Sequence, residues 1–244
     1  MFKVLKRAQE IATISHGAFD VTVGPYVRLW RFSRKRKVLP TTEERAVAGK
    51  SVEYHHLQLN ERTREVALLA PGMRLDLGGI AKGYAADEAL KVLMARGFSR
   101  AYVAASGDIA VGDPPLGARG WRIAIATIDS HDKEMNRTVQ VHNCGISTSG
   151  DSEQAVEISN VKYSHIVSPI TGLGLTNRIQ VSVVAPDATT SDGWATAFSV
   201  MGLDKSMSQL RKMPRTGVLI ITEANGKKMV ATSPNFDSLA PAIK

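Results

Sequence analysis

The sequence predicts an α+β fold. Three observations carry that prediction. Apolar residues recur three and four apart in segments such as Phe2 to Ala12 and Ile80 to Arg96, as an amphipathic helix requires. Paired alternating runs around short polar turns mark hairpins, the clearest being Val218 to Thr222 and Lys228 to Thr232 around Asn225-Gly226. Two passages, Leu75 to Arg96 and Val181 to Gly202, run from strand-like spacing into helical spacing, so helices and hairpins are mixed along the chain.

The elements follow in order. Phe2, Leu5, Ala8, Ile11 and Ala12 form the first helical stripe, which Gly17 ends. Phe19 to Val27 alternates loosely up to the Trp30 region, and Pro40-Thr41-Thr42 before Glu44 and Arg45 reads as a capped short helix. Tyr54 to Leu59 and Arg64 to Leu69 alternate on either side of Asn60 to Thr63, which reads as a hairpin with His55 and His56 pointing to opposite faces. Met73, Leu75 and Leu77 alternate with Arg74 and Asp76 as a strand, and a helix runs from Ile80 to about Arg96, closed by Gly97. Ala101 to Ala105, Trp121 to Ile128 and Thr138 to His142 read as strands, with Gly107-Asp108 as a turn. Val156 to Ile158 and Val161 to Val167 form another hairpin. Ile179 to Ala185 is a β-branched strand before a helix from near Ala188 to Gly202, and a short helix covers Ser206 to Lys212.

At 244 residues, 43% hydrophobic and 22% charged, the chain can bury a sizeable core as one compact unit or two closely packed halves. No apolar run approaches the roughly 20 residues that span a bilayer, and MFKVLKRAQE lacks the apolar core of a secretory signal. The single cysteine, Cys144, excludes an internal disulfide and a multi-thiolate zinc site. A formal charge of +8 favours anionic partners. Its densest cluster, Arg31, Arg34, Lys35, Arg36 and Lys37, has aromatics only at one end and reads as a solvated loop rather than a nucleic-acid interface.

The chemistry-bearing segments begin with LDLGGIAKGYAAD, Leu75 to Asp87. Its period changes at Gly78-Gly79, where backbone without a Cβ lets an anion or ion approach, the following helix presents unpaired N–H groups, and Lys82 adds a charge one turn in. An ordinary strand-to-helix connection with a surface lysine has the same residues. In SDGWATA, Asp192 and Thr196 stand at i and i+4 on one helix face, a carboxylate and a hydroxyl suited to Mg²⁺. Asp192 serves equally well in the helix's first turn, and Thr196 in a bond back to its own helix. His165, at a strand end before Pro-Ile-Thr-Gly, has the pKa class of a general base or a structural role. ISTSGDSE, Ile146 to Glu153, gathers hydroxyls and carboxylates where a strand ends.

Read in order, GAFDVTVGPYVRLW, LDLGGIAKGYAAD, AASGDIAVG, ISTSGDSE, YSHIVSPITG and SDGWATAFSVMG resemble the ApbE family of FAD:protein FMN transferases, from Gly17 to Gly202. The resemblance implies two mixed sheet-and-helix halves of largely antiparallel strands around a central nucleotide site, in a single family domain over residues 1–244. It implies Mg²⁺-dependent cleavage of FAD, with FMN passing to a threonine hydroxyl of an acceptor protein and AMP released; some members hydrolyse FAD instead. It makes the Gly79 carbonyl, Asp192 and Thr196 the metal-contacting set. It puts Ala18, Phe19, Asp20, Asp76, Lys82, Ile166 and Ala195 around FAD, and it leaves His165 as the candidate to take the threonine proton.

Two departures stand out. Where the family has an acid and a base in its HI-aliphatic-DP-basic-TG run, this chain has Ser168 and Ile170, which removes a charge pair beside the nucleotide. The family's upstream region, with a tyrosine covering the flavin ring, is expected to be absent, so an FAD-binding module or pseudoenzyme is the alternative reading. A basic nucleic-acid-binding protein is a remote one. The family implies work at the outer face of the cytoplasmic membrane or in the periplasm, with membrane association only through a missing N-terminal anchor.

Overall fold

The opening stripe forms α1 (Phe2–Ile14) in the computed structural model, with Val4, Leu5, Ala8, Ile11 and Ala12 buried. The structure describes residues 1–128, 134–150, 155–224 and 226–243. They fall into two compact units, Met1–Gly79 with Gly150–Thr176 and Ile80–Ser149 with Asn177–Lys244. The elements are helical and antiparallel in mixture, so the α+β expectation holds.

In the first unit α2 (Gly24–Arg36) corrects the reading of the basic cluster as a loop. Tyr26, Trp30 and Ser33 make a buried stripe at helical spacing that the surrounding charges obscure, and Arg34, Lys35 and Arg36 suit the negative end of the helix. α3 (Thr42–Gly49) opens on the expected capping box: Thr41 Oγ1 accepts the Glu44 N–H at 3.1 Å, and Glu44 Oε2 accepts the Thr41 N–H at 2.7 Å. The next hairpin is shorter than its alternation implied, β1 (Leu57–Leu59) against β2 (Val66–Leu68). His55 and His56 lie in a single 3₁₀ turn, Tyr54–His56, not in the strand: the His56 N–H closes the turn on the Glu53 carbonyl at 3.0 Å, and the Glu53 carboxylate caps it by accepting the His55 N–H. Met73 to Leu77 forms no named strand either. Its sheet-like contacts are a bridge between Arg74 and Val23 and a bond from the Asp76 N–H to the Val21 carbonyl at 2.8 Å, and of its three alternating apolar residues only Met73 is buried.

The second unit begins with α4 (Ala81–Ala95), then β3 (Tyr102–Ala105), β4 (Asp108–Val111), the hairpin β5 (Trp121–Ile128) and β6 (Glu134–Val141), and β7 (Cys144–Gly150). Asp108 begins a strand rather than ending a turn. The chain then gives β8 (Val156–Ile158) and β9 (Val161–Tyr163) to the first unit, whose core joins Tyr26, Trp30, Ile158, Tyr163 and Val167. It returns as β10 (Ile179–Ala185), α5 (Ala188–Met201), α6 (Leu203–Leu210), β11 (Gly217–Ala224), β12 (Lys227–Thr232) and α7 (Phe236–Leu239). Asp151 to Glu153, and Asn225 of the last hairpin, lie outside the described residues.

A six-stranded sheet, in the order β12-β11-β10-β7-β4-β3, organises this unit. Alternation along β4 divides its faces: Ala110 packs with Ala86 and Leu90 of α4 and Ala188 of α5, whereas Ile109 and Val111 join Ile125, Val139, Leu219 and Phe236. α4 and α5 therefore share one face, and the β5–β6 hairpin with α7 covers the other.

The two helices approach closely because Gly83 has no side chain. A Cβ there would overlap the Ala188 carbonyl oxygen and lie 2.8 Å from Asp192 Cβ. Gly145 on β7 does the same for the start of α5, where a Cβ would overlap the Ala188 nitrogen. Gly83→Ala gains helix propensity of about 1 kcal/mol, but it must separate backbone from backbone, and such overpacking costs typically 1–3 kcal/mol. The net expectation is a lower Tm, by roughly 2–4 °C for each kcal/mol, read by thermal denaturation against a surface control. An unchanged or raised Tm would show that the helices have room to part.

Candidate functional site

α4 starts without a side-chain cap of its own. A carboxylate from α5 fills that place: Asp192 Oδ2 accepts the Gly83 N–H at 3.0 Å. The start of α5 is met in return from α4. Asp87 Oδ1 accepts the Ala188 N–H at 2.8 Å, and Oδ2 accepts the Thr189 N–H at 2.8 Å together with the Thr189 hydroxyl. Each helix thus lends an acid to the positive end of the other.

Around Asp192 the charges are crowded. Asp108, at the first position of β4, is 1% exposed and pairs with the half-exposed Lys82 ammonium. Burial of Asp192, reinforced by the nearby Asp108 charge, pushes its carboxyl up to about 7, against the pull of the Gly83 N–H and Lys82. Burial alone would lower the Lys82 pKa, but its bond to Asp108 and the field of Asp192 outweigh burial, and the net shift is upward. Two acids share one lysine in a buried corner, which leaves a negative excess that a cation would relieve.

Thr196 is half-buried one turn after Asp192. Ser191 and Ser199 of the same helix bond back to the Ala188 and Ala195 carbonyls at 3.1 and 2.8 Å, whereas the Thr196 hydroxyl makes no hydrogen bond among the described residues. The back-bonded alternative is therefore not the one adopted. Among the described residues no three His, Cys, Asp or Glu side chains gather to hold an ion. One buried carboxylate with a hydroxyl one turn on is a hard-oxygen set, and Mg²⁺, which keeps several waters and substrate oxygens, is the ion such a sparse set fits.

The remaining expected site residues belong to the first unit, apart from Ala195, which is buried on α5 beside Thr196. Ala18, Phe19 and Asp20 are buried, and Asp20 Oδ1 accepts both the N–H and the hydroxyl of Thr22 at 2.7 Å. Burial raises the Asp20 pKa against those bonds. The Asp76 N–H reaches the Val21 carbonyl, which brings Asp76 beside this segment. Asp76 Oδ1 also accepts the Gly78 N–H at 2.9 Å, at the start of the turn that contains Gly79, three residues before Lys82. Its other oxygen pairs with Arg31 at 3.3 Å. Ile166 is buried and His165 exposed on the bend after β9.

Two acids escaped the sequence reading. Asp108 had no visible link to Lys82, since only the pairing of β4 beneath α4 brings them together. Asp87 stands four residues after Gly83 on the same helix face, but the burial that marks the helix contact shows only in the structure.

The ApbE family model matches residues 1–220. A FAD:protein FMN transferase of Klebsiella pneumoniae is 30% identical over 97% of this chain and 69% of its own length. The enzyme of that name from Salmonella typhimurium is 32% identical over 100% and 71%. The solved flavin transferase ApbE from Vibrio cholerae superposes with a TM-score of 0.85 at 29% identity, covering 97% of this chain and 75% of that one. The ApbE protein from Thermotoga maritima gives 0.83 at 31%, covering 98% and 77%. With the family model matched over most of its length and relatives at this identity, the chain belongs to the ApbE family.

Proposed function

We propose that this chain is a Mg²⁺-dependent FAD:protein FMN transferase. It passes FMN from FAD to a threonine hydroxyl of an acceptor protein and releases AMP. The observation that carries the reading is the buried Asp192 carboxylate, set beside Asp108 and Lys82 at the start of α4 with the unengaged Thr196 hydroxyl one turn on. Membership of a family whose relatives bear this enzyme name supports it.

In this reading the acceptor oxygen bonds to the FMN phosphorus as the bridging P–O bond breaks, and the bridging oxygen leaves with AMP. Asp192, Thr196 and the Gly79 carbonyl hold the ion. Bound there, Mg²⁺ supplies positive charge to the pyrophosphate as the phosphorus is attacked. Lys82, kept protonated by Asp108 and Asp192, faces an anionic phosphate oxygen from its exposed side. Ala18, Phe19, Asp20, Asp76, Ile166 and Ala195 are assigned to FAD. His165, exposed on its bend, takes the hydroxyl proton.

Incubation with FAD, Mg²⁺ and an acceptor protein should give covalent FMN on the acceptor and free AMP in equal amounts. AMP without covalent FMN would mean FAD hydrolysis, and saturable FAD binding without AMP a binding module. Either result sinks transfer. Asp192→Ala should lower turnover by about 100-fold or more, with far-UV circular dichroism unchanged. Lys82→Ala should raise the half-saturating FAD concentration by about tenfold, the worth of one charged hydrogen bond.

The Asp192 carboxyl also sets a pH dependence. Its folded pKa, about 7, lies above that of an unfolded aspartate, so the folded chain binds this proton more tightly. Without Mg²⁺, stability is therefore highest at low pH with respect to this group and falls as pH rises from about 4 through about 7. Asp192→Asn should remove that fall and raise the metal-free Tm above neutral pH by roughly 5 °C. Mg²⁺ competes with the same proton, so its half-saturating concentration should rise about tenfold for each pH unit below neutrality. A flat profile in Mg²⁺-dependent thermal shift would remove Asp192 from the metal set.

A further inference from the structure

Asp87 is nearly as buried as Asp192, yet nothing in the proposed chemistry uses it. Its carboxylate collects three bonds from α5: the Ala188 N–H, the Thr189 N–H and the Thr189 hydroxyl. The cap that adjoins α5, Asp187, leaves the N–H groups of Ala188 and Thr189 to Asp87. Asp187 accepts the Thr190 N–H at 2.7 Å and the Thr190 hydroxyl at 2.6 Å. A second carboxylate is therefore held out of water beside the first, where an apolar side chain would strand two buried N–H groups.

The placement of its bonds shows what Asp87 adds. Asp192 follows Ala188 by one helical turn, and Gly83 precedes Asp87 by one turn. The four positions form a closed circuit: Asp87 holds the first turn of α5, α5 carries Asp192, Asp192 holds the Gly83 N–H, and Gly83 stands one turn before Asp87 on α4. Bonding two consecutive N–H groups with two separate oxygens fixes the rotation of α5 as well as its height, which a single contact does not. Ser147 Oγ, 2.8 Å from Ser191 Oγ, anchors the next residues of the same helix to β7. Loosening the Asp87 end would let Asp192 swing away from Lys82 and Asp108.

We infer that Asp87 is a positioning residue for the Mg²⁺-pyrophosphate site, fixing α5 so that the Asp192 carboxylate stays at the start of α4. This rests on the transferase reading above. Asp87→Asn keeps the size and one acceptor, but turns an amide donor toward one of the α5 N–H groups.

The test is calorimetric titration of the FAD-bound full chain with Mg²⁺, alongside thermal denaturation without metal. Asp87→Asn should raise the half-saturating Mg²⁺ concentration about tenfold, as loss of a ligand-orienting partner does. Thr189→Val, which deletes only the hydroxyl bond, should raise it about two- to threefold. Thr41→Ala, which breaks the capping box of α3, should lower Tm without moving the Mg²⁺ titration. A purely structural Asp87 would behave like Thr41: lower Tm, Mg²⁺ titration unmoved, and that result overturns the inference. If Asp87→Asn does not fold, Thr189→Val decides by the same criterion. A wild-type chain that binds FAD but no Mg²⁺ overturns the transferase reading and the positioning role with it, whereas wild-type binding with unmoved variants overturns the positioning role alone.

Discussion

The exchange of carboxylates between α4 and α5 is the constraint from which the site follows. A helix start exposes N–H groups that must find acceptors, and a buried acid must find donors. Here the two needs answer each other twice, with Asp192 at α4 and Asp87 at α5. The exchange works only at very close approach, which the absence of a Cβ at Gly83 allows. Leaving any one of these buried groups unpaired costs on the order of 1–3 kcal/mol, so the pair of helices is held by mutual satisfaction rather than by apolar contact alone. A by-product is chemical: the arrangement sets Asp192 near Asp108 and gives both a single lysine.

The sheet supplies the other half of that geometry. Asp108 opens β4, and the same strand presents Ala110 to the helices and Val111 to the apolar core on the far face. Small residues on the helix side bring α4 and α5 low over the sheet, while the large ones on the other side bind the β5–β6 hairpin and α7. Every charged group of the corner thus sits on a helix or at a strand end fixed by packing, which holds a site more rigidly than a loop does.

How much of this the sequence displayed depended on the range of the interaction. Local signals were sound: the capping box at Thr41, the α5 start near Ala188, and the placing of Asp192 and Thr196 on one helix all appear where one or two turns of chain determine them. The glycine segment was legible as room for an ion at Gly78-Gly79, whereas the close helix contact at Gly83 in the same segment was not. Readings that failed were cases where a second signal masked the first. Charges hid the Tyr26, Trp30 and Ser33 stripe of α2, and alternation at Met73 to Leu77 imitated a strand that pairs only through a bridge at Arg74. Asp108 was illegible because its partner is 26 residues away and meets it only across strand and helix.

The substitutions at Ser168 and Ile170 show how a family departure can spare the backbone. Ser168 is buried, and its hydroxyl accepts the Ile170 N–H at 3.2 Å and the Thr171 N–H at 3.3 Å. An aspartate at such a position makes the same turn, because both side chains place an oxygen where the following N–H groups converge. The turn is further closed by main-chain bonds from the Ser168 N–H to the Leu173 carbonyl and from the Gly172 N–H to the Ser168 carbonyl, both at 2.9 Å, which no side chain determines. Ile170 is 76% exposed and takes no part in them. What serine removes is therefore the charge, not the shape. The turn that follows His165 and Ile166 is thus closed without a charged side chain at either position.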